Sequence, residues 1–257
     1  MERFFKVCGQ LLAGAVLAIA FSQSAWALEM GARVSYWFPN FKSDIRVDGS
    51  SLRGTEFNVR DALGLGNQGY PSLEVFGGLG KHHLRLMYTQ ANYSDNDVLA
   101  SQIVFNGTTF PAGTPVSSNF KIRMLDLTYQ YDLINMENIL AGFSIGAIGK
   151  IKYLDIDGKI DSPTAGTEEN IRVPVPMVGA AAHVGILANI LEARAELTGI
   201  GYSSNYLYEA TADLSFTPFP LMDIHGGYKV ISVHVDHSDV FFTSDIAGPY
   251  VALTVGF

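Results

Sequence analysis

Three groups of residues in this sequence are of types that do chemistry. The first is spread along the chain. It comprises Arg33, Arg85, Lys150, Lys152, Arg194 and Lys229, set against Glu74, Asp126, Asp132, Glu192, Glu196, Glu209, Asp213 and Asp223, each flanked by apolar or small neighbours. Charges of both signs on one face either pair, because a charge taken out of water alone is costly, or line a hydrated path that selects ions. Glu192, Arg194 and Glu196 are two apart, so on a strand they share a face. This acid-base-acid row is expected to pair with Glu209, Asp213, Lys150 and Lys152. The second group is Asp95-Asn96-Asp97, whose two carboxylates could share and activate a water. The third is His234-Val235-Asp236-His237-Ser238-Asp239, which offers a general-base pair or metal ligands. A metal needs ligands that converge, and alternation sends His234 and His237 to opposite faces unless a bulge intervenes. No metal and no other cofactor is expected.

Other catalytic signatures are weaker still. An acyl hydrolase at a lipid boundary needs serine and histidine side by side. His225 and Ser232 differ in parity, and His183 has no hydroxyl neighbour in sequence. No phosphate-binding or dinucleotide fingerprint stands out. The stretch Gly107-Thr108-Thr109-Phe110-Pro111-Ala112-Gly113 has turn composition and one aromatic, Phe110, expected as a surface contact point or the centre of a self-packing loop.

What positions the charged set is a series of strands, because apolar residues recur around it with period two. Ala32, Val34, Tyr36 and Phe38 alternate with Gly31, Arg33, Ser35 and Trp37. Leu73 and Val75 flank Glu74, and Leu84, Leu86 and Tyr88 alternate with Arg85, Met87 and Thr89. Leu125, Leu127, Tyr129, Tyr131 and Leu133 oppose Asp126, Thr128, Gln130 and Asp132. Further rows run through Ile139 to Ile145, Val178 to Ile186, Leu191 to Leu197, Tyr206 to Phe216, Ile224 to Val230, and Pro249 to Phe257. A soluble sandwich would not readily bury a face as charged as the one holding Glu192, Arg194 and Glu196.

The N-terminus explains where such strands reside. Arg3 and Lys6 precede an apolar run of about fifteen residues from Val7 to Phe21, followed by Ala25-Trp26-Ala27. That is a secretory signal peptide over 1–27, with cleavage expected before Leu28, and the run is short of the ~20 residues a spanning helix needs. Cys8, the only cysteine, lies within it, so the mature 28–257 has no thiol. Cleavage also removes a net +1, taking the formal charge from −8 to about −9 and arguing against nucleic acid as a partner. With no Pro-rich or Ser-rich linker, 28–257 is read as one domain. No later stretch is apolar for the roughly 18 residues of a membrane helix, and the other structure that satisfies every backbone group in lipid is a closed barrel.

The C-terminus reads Gly248-Pro249-Tyr250-Val251-Ala252-Leu253-Thr254-Val255-Gly256-Phe257. It resembles the sorting signal of bacterial outer-membrane barrels. The resemblance implies that the barrel-assembly machinery is a partner, with Tyr250, Val255 and Phe257 carrying the signal. Short connections near Gly80-Lys81-His82, Ile134 to Glu137, Asn189-Ile190 and Pro218-Phe219-Pro220 alternate with longer ones at roughly 39–70, 95–119, 155–172 and 236–247, the asymmetry of periplasmic turns and outer loops. Ser203-Ser204-Asn205 is read as a tight outer turn. The expected fold is all-β, a transmembrane antiparallel up-and-down barrel of about ten strands, with eight and twelve open and a further hairpin possible in the first two outer loops.

The pattern is similar to the small OmpA-like, OmpW-like and porin-like barrels of Gram-negative outer membranes, and outer-membrane lipid and lipopolysaccharide are the implied surroundings. Eight strands leave room only for side chains and sixteen or more make an open channel. A lumen mostly plugged by its charges, with a structural or surface-interaction role and no enzyme activity, is therefore expected first, and a narrow channel second. Third comes an enzyme. Asp95 and Asp97, facing the histidine motif across the barrel mouth, resemble the omptin outer-membrane proteases. The departures are that the Ser203-to-Tyr206 turn, where that family carries its Asp/His pair, lacks histidine, and that His237 directly follows Asp236.

Overall fold

The computed structural model describes residues 28–48, 53–63, 67–136, 142–187, 190–237 and 240–256. The signal peptide read over 1–27 and the terminal Phe257 lie outside them. The strands are β1 (Leu28–Trp37), β2 (Asn40–Val47), β3 (Phe57–Asn58), β4 (Tyr70–Leu79), β5 (His82–Val98), β6 (Ile103–Phe105), β7 (Thr108–Phe110), β8 (Pro115–Asn135), β9 (Phe143–Asp161), β10 (Gly166–Leu187), β11 (Leu191–Tyr202), β12 (Asn205–Phe219), β13 (Met222–His237) and β14 (Val240–Gly256), with a short helix, α1 (Val59–Leu63). Ten of them close one antiparallel barrel in the order β1-β4-β5-β8-β9-β10-β11-β12-β13-β14, and β14 pairs back onto β1.

The facing follows the period-two pattern. Val34, Leu73, Val75, Leu84, Leu86, Leu125, Leu127, Ile151, Val178, Val184, Leu197, Leu214, Tyr228, Val251, Leu253 and Val255 are large, apolar and exposed, on the outside of a closed barrel. Alternate residues, Glu74, Asp126, Lys152 and Glu209 among them, are buried in the lumen. An apolar outer belt with a polar interior is the arrangement of a membrane-spanning barrel, and no helix among the described residues is long and apolar enough to cross a membrane.

The connections differ from expectation at the end opposite the chain termini. Strands continue past the belt where loops were read: β5 runs to Val98, β9 to Asp161 and β13 to His237. The first strand also continues. β2 extends β1 past Pro39 along the same partner, with Trp37 opposite Tyr250 and Asn40 opposite Ala247. Outside the membrane a strand keeps its backbone ladder but faces water, so its outer row turns polar and the dyad disappears. Lys121, Arg123, Asp155, Asp157, Asn170 and Arg172 form that polar row on β8, β9 and β10. The β11–β12 hairpin stops at the belt, at Ser203-Ser204 as read. Above it, 166–177 of β10 has β9 on one side and no strand on the other among the described residues, and Pro174 and Pro176 blunt that edge.

Candidate functional site

The lumen is built in three layers. The uppermost, at the extended end, is apolar and was not foreseen. Leu99, Ile103, Phe105 and Phe110 pack with Trp37, Phe41, Tyr70, Tyr93, Val116, Phe120, Met124, Ile160, Ile231 and Ile246 in one buried cluster. Phe110, read as either a surface contact point or part of a self-packing loop, is 1 % exposed and packs both on its own loop and on the barrel wall. Its position follows from the hairpin β6–β7, joined by Asn106-Gly107 with φ of 46° and 73°. Two positive φ values make a type I′ turn, for which Asn-Gly is the preferred pair. The hairpin is tied down at both ends: Leu99 N–H donates to Thr114 O at 3.0 Å, Thr55 N–H to Val104 O at 2.9 Å, and Asn106 Nδ2 to Glu169 Oε2 at 3.0 Å. The hydroxyls of Tyr70 and Tyr93 satisfy each other at 2.6 Å inside the cluster.

The middle layer is a network of ion pairs. Lys152 Nζ donates to both oxygens of Asp126 at 2.7 Å and lies 3.2 Å from Glu209 Oε2. Lys150 Nζ donates to the same Glu209 oxygen at 3.0 Å, and Lys229 Nζ lies 2.8 Å from Glu209 Oε1. Lys229 also sits 5.4 Å from the Trp37 ring centre, a cation–π contact that joins this layer to the apolar one. Arg85 grips Glu196 with two nitrogens, at 2.6 and 2.8 Å, from β5 to β11 across the ring. Each charge of this layer stands against at least one of opposite sign, which is the condition for keeping charges in such a place.

The lowest layer is a cavity of about 500 Å³ toward the short-turn end, lined by Arg33, Glu74, Asp132, Glu192, Arg194 and Asp223 among others. Arg33 lies 3.5 Å from Glu74 and donates through Nε to Thr254 at 2.9 Å. Asp132 accepts from Gln130 at 2.8 Å and lies 3.0 Å from His83 Nε2. Asp223 accepts from Thr217 at 2.6 Å. Arg194 pairs with Glu192 at 3.2 Å, and among the described residues no ion pair joins the Glu192–Arg194–Glu196 row to Glu209, Lys150 or Lys152, which are committed to one another deeper in the lumen. Asp213, opposite Arg194 in register, is held instead by His225 Nδ1 at 3.1 Å and the Tyr250 hydroxyl at 2.8 Å.

Other sequence candidates are placed apart. Asp95 and Asp97 each accept from the backbone N–H of the next residue. His234 faces outward, stacked on Tyr206 at 5.6 Å and 2.7 Å from Thr243 Oγ1. The side chain of His237 is outside the described residues, and no three His, Cys, Asp or Glu converge as metal ligands among those described. Val255 faces outward and Tyr250 inward, so the residues of the sorting signal divide between lipid and lumen. Beyond the belt, Arg123 bonds Asp155 at 3.2 Å and also Asp157. Desolvation works against the Asp155 charge, but hydrogen bonds from Asn170 and Arg172 and the charge of Arg123 hold its carboxyl below the usual range.

No protein-family model and no curated protein sequence matches the chain. Among solved structures, the outer membrane protease OmpT from Escherichia coli is similar with a TM-score of 0.57 at 11 % identity, over 92 % of this chain and 100 % of that one. The transport unit of the autotransporter AIDA-I from Escherichia coli matches with a TM-score of 0.44 at 7 % identity, over 93 % of this chain and 92 % of that one. The translocator domain of the autotransporter NalP from Neisseria meningitidis matches with a TM-score of 0.41 at 9 % identity, over 98 % and 95 %. At such identities only the fold is shared. With its closed antiparallel ring, its apolar belt and that likeness, the chain has the fold of the outer-membrane β-barrels of Gram-negative bacteria.

Proposed function

We propose that the protein is a closed barrel of the outer membrane, with a structural or surface-interaction role and no catalytic one. The observation that carries this reading is the stacking of two seals. The β6–β7 hairpin fills the extended end with apolar side chains, and the lysine–carboxylate network of Asp126, Lys150, Lys152, Glu209 and Lys229 fills the middle. A solute would have to displace both. Strands that stand clear of the belt, with the polar row of Arg123, Asp155, Asp157 and Arg172, are then the part that meets lipopolysaccharide head groups and the exterior. Assembly would proceed through the barrel-assembly machinery by the C-terminal strand. The test is conductance of the refolded protein in planar bilayers, where this reading requires little or none.

The lower cavity favours a second reading, a narrow channel, because it carries open space up to Arg85 and Glu196 from one side. On that reading the hairpin is a gate, and deleting it would produce stable current.

A further inference from the structure

Above the Ser203-Ser204 turn the wall of the barrel lacks β11 and β12, and β10 keeps β9 as its only strand neighbour among the described residues. The hydrogen-bonding phase of β10 decides what its free edge presents. Ser162 N–H donates to Ala165 O at 2.7 Å and Gly185 N–H to Gly142 O at 2.8 Å, two bonds of one register. Bonded pairs recur at every second residue of an antiparallel ladder, so Thr167, Glu169, Ile171 and Val173 turn their backbone groups to β9. Glu168, Asn170 and Arg172 turn theirs to the open side. Pro174 and Pro176 share that outward phase, so the lower part of the edge has no N–H to offer. On the opposite bank Asp236 N–H is taken by Asn205 Oδ1 at 2.7 Å. Among the described residues nothing takes the corresponding groups of Glu168, Asn170 and Arg172. A separate observation concerns the side chains that face inward at this end. Met177, Leu207 and Ile231 are 2 %, 5 % and 3 % exposed, whereas Ile171, Val173 and Ile200, of the same inward parity, are 38 %, 39 % and 42 % exposed. The apolar row is uncovered where the wall is missing.

We propose that this opening takes an extended strand of a partner polypeptide, added antiparallel to β10 along 166–172. The inference rests on the surface-interaction reading and names the surface that would serve it. Strand addition gives the free N–H and C=O groups their partners and lays every second side chain on the apolar row. A lipid acyl chain covers Ile171 and Val173 but leaves the backbone groups unmatched. A second copy in the same membrane is excluded by symmetry. Strands of such barrels tilt by about 35–45°, so two β10 edges related by an axis along the membrane normal cross at about twice that angle instead of pairing. The partner strand therefore belongs to another polypeptide. It carries apolar residues opposite Ile171 and Val173, an acid opposite Arg172 and a base opposite Glu168.

The experiment is titration of the refolded barrel in detergent with a capped peptide of that pattern, Thr-Val-Glu-Val-Thr-Thr-Lys-Thr, written in the order that pairs antiparallel with β10. Binding is read by anisotropy of a label on the peptide and by amide hydrogen exchange of the barrel. Saturable binding is expected, with exchange slowed at Glu168, Asn170 and Arg172. Ile171 and Val173 should not change, because β9 already protects them. Asn170→Pro removes one donor from the edge at a phase where proline leaves the β9 ladder intact, and should weaken binding about tenfold or more. Asn170→Ala loses the same side-chain bonds but keeps the N–H, and should bind as the wild type does. Absence of saturable binding, unchanged exchange at the three edge amides, or equal affinity of the proline and alanine variants overturns the proposal. Exchange is read on the wild-type barrel, so the test holds even where the proline variant does not fold. Current in planar bilayers would overturn the closed-barrel reading and leave this result standing, so the two failures are distinguishable.

Discussion

Glu209 is the residue on which the middle of the lumen turns, since Lys150, Lys152 and Lys229 all reach its carboxylate. Glu209→Gln would leave buried lysines short of negative charge, and breaking a buried pair from one side costs about 3–5 kcal/mol. Arg194→Ala is expected to cost about 0–1 kcal/mol, because Arg194 lies at the cavity wall with a side chain 35 % exposed and one ion-pair partner among the described residues. Urea unfolding of the two variants in lipid vesicles separates them, and equal losses would mean that the network is not the stabilising element. Which face Glu209 and Arg194 occupy was legible in the sequence, because lipid and lumen demand opposite chemistry at successive positions. Which charges pair was not. Pairing depends on how far each strand is staggered around the ring, and the Glu192–Arg194–Glu196 row was accordingly matched with Glu209, Lys150 and Lys152, which pair with one another deeper in the lumen.

The hairpin β6–β7 is the element that closes the extended end. Replacing 101–112 with a short Gly-Ser linker removes Ile103, Phe105 and Phe110 from the cluster. The loss should be at least the ~3 kcal/mol of one buried Phe truncation, read as a lower urea midpoint. An unchanged midpoint would mean that the hairpin is not packed in the lumen. Its sequence did carry a signal: Ile103-Val104-Phe105 and Thr108-Thr109-Phe110 flank Asn106-Gly107, a strong local hairpin cue. The glycines and prolines around it give the composition of a solvent loop, and inward folding of a loop leaves no periodic mark. The strand extensions were hidden for the opposite reason, a regular backbone with no lipid to impose an apolar row. That boundary is testable on β8. Leu127→Arg, within the belt, should cost about 2–4 kcal/mol of folding into lipid. Asn119→Arg, on the same face but above the belt, should cost little, and equal tolerance would misplace the membrane edge.

At the scale of the molecule, the ring of ten strands and its closure of β14 onto β1 were within reach of sequence patterning, whereas the division of the lumen into an apolar seal, an ion-pair layer and a vestibule was not. Closure makes the last strand a condition of assembly. Deleting Phe257 should lower the yield of heat-modifiable protein in the outer membrane and leave precursor in the periplasm, and an undiminished yield would remove the sorting-signal reading. The claim that the two upper layers close the barrel is tested most directly by single-channel recording of the refolded protein in planar bilayers. Because the mid-lumen charges are already paired and capped by apolar side chains, the wild-type barrel should show no stable conductance steps. Reproducible, long-lived steps, with an ion selectivity that shifts in Glu209→Gln, would contradict it and make the lumen a conducting path.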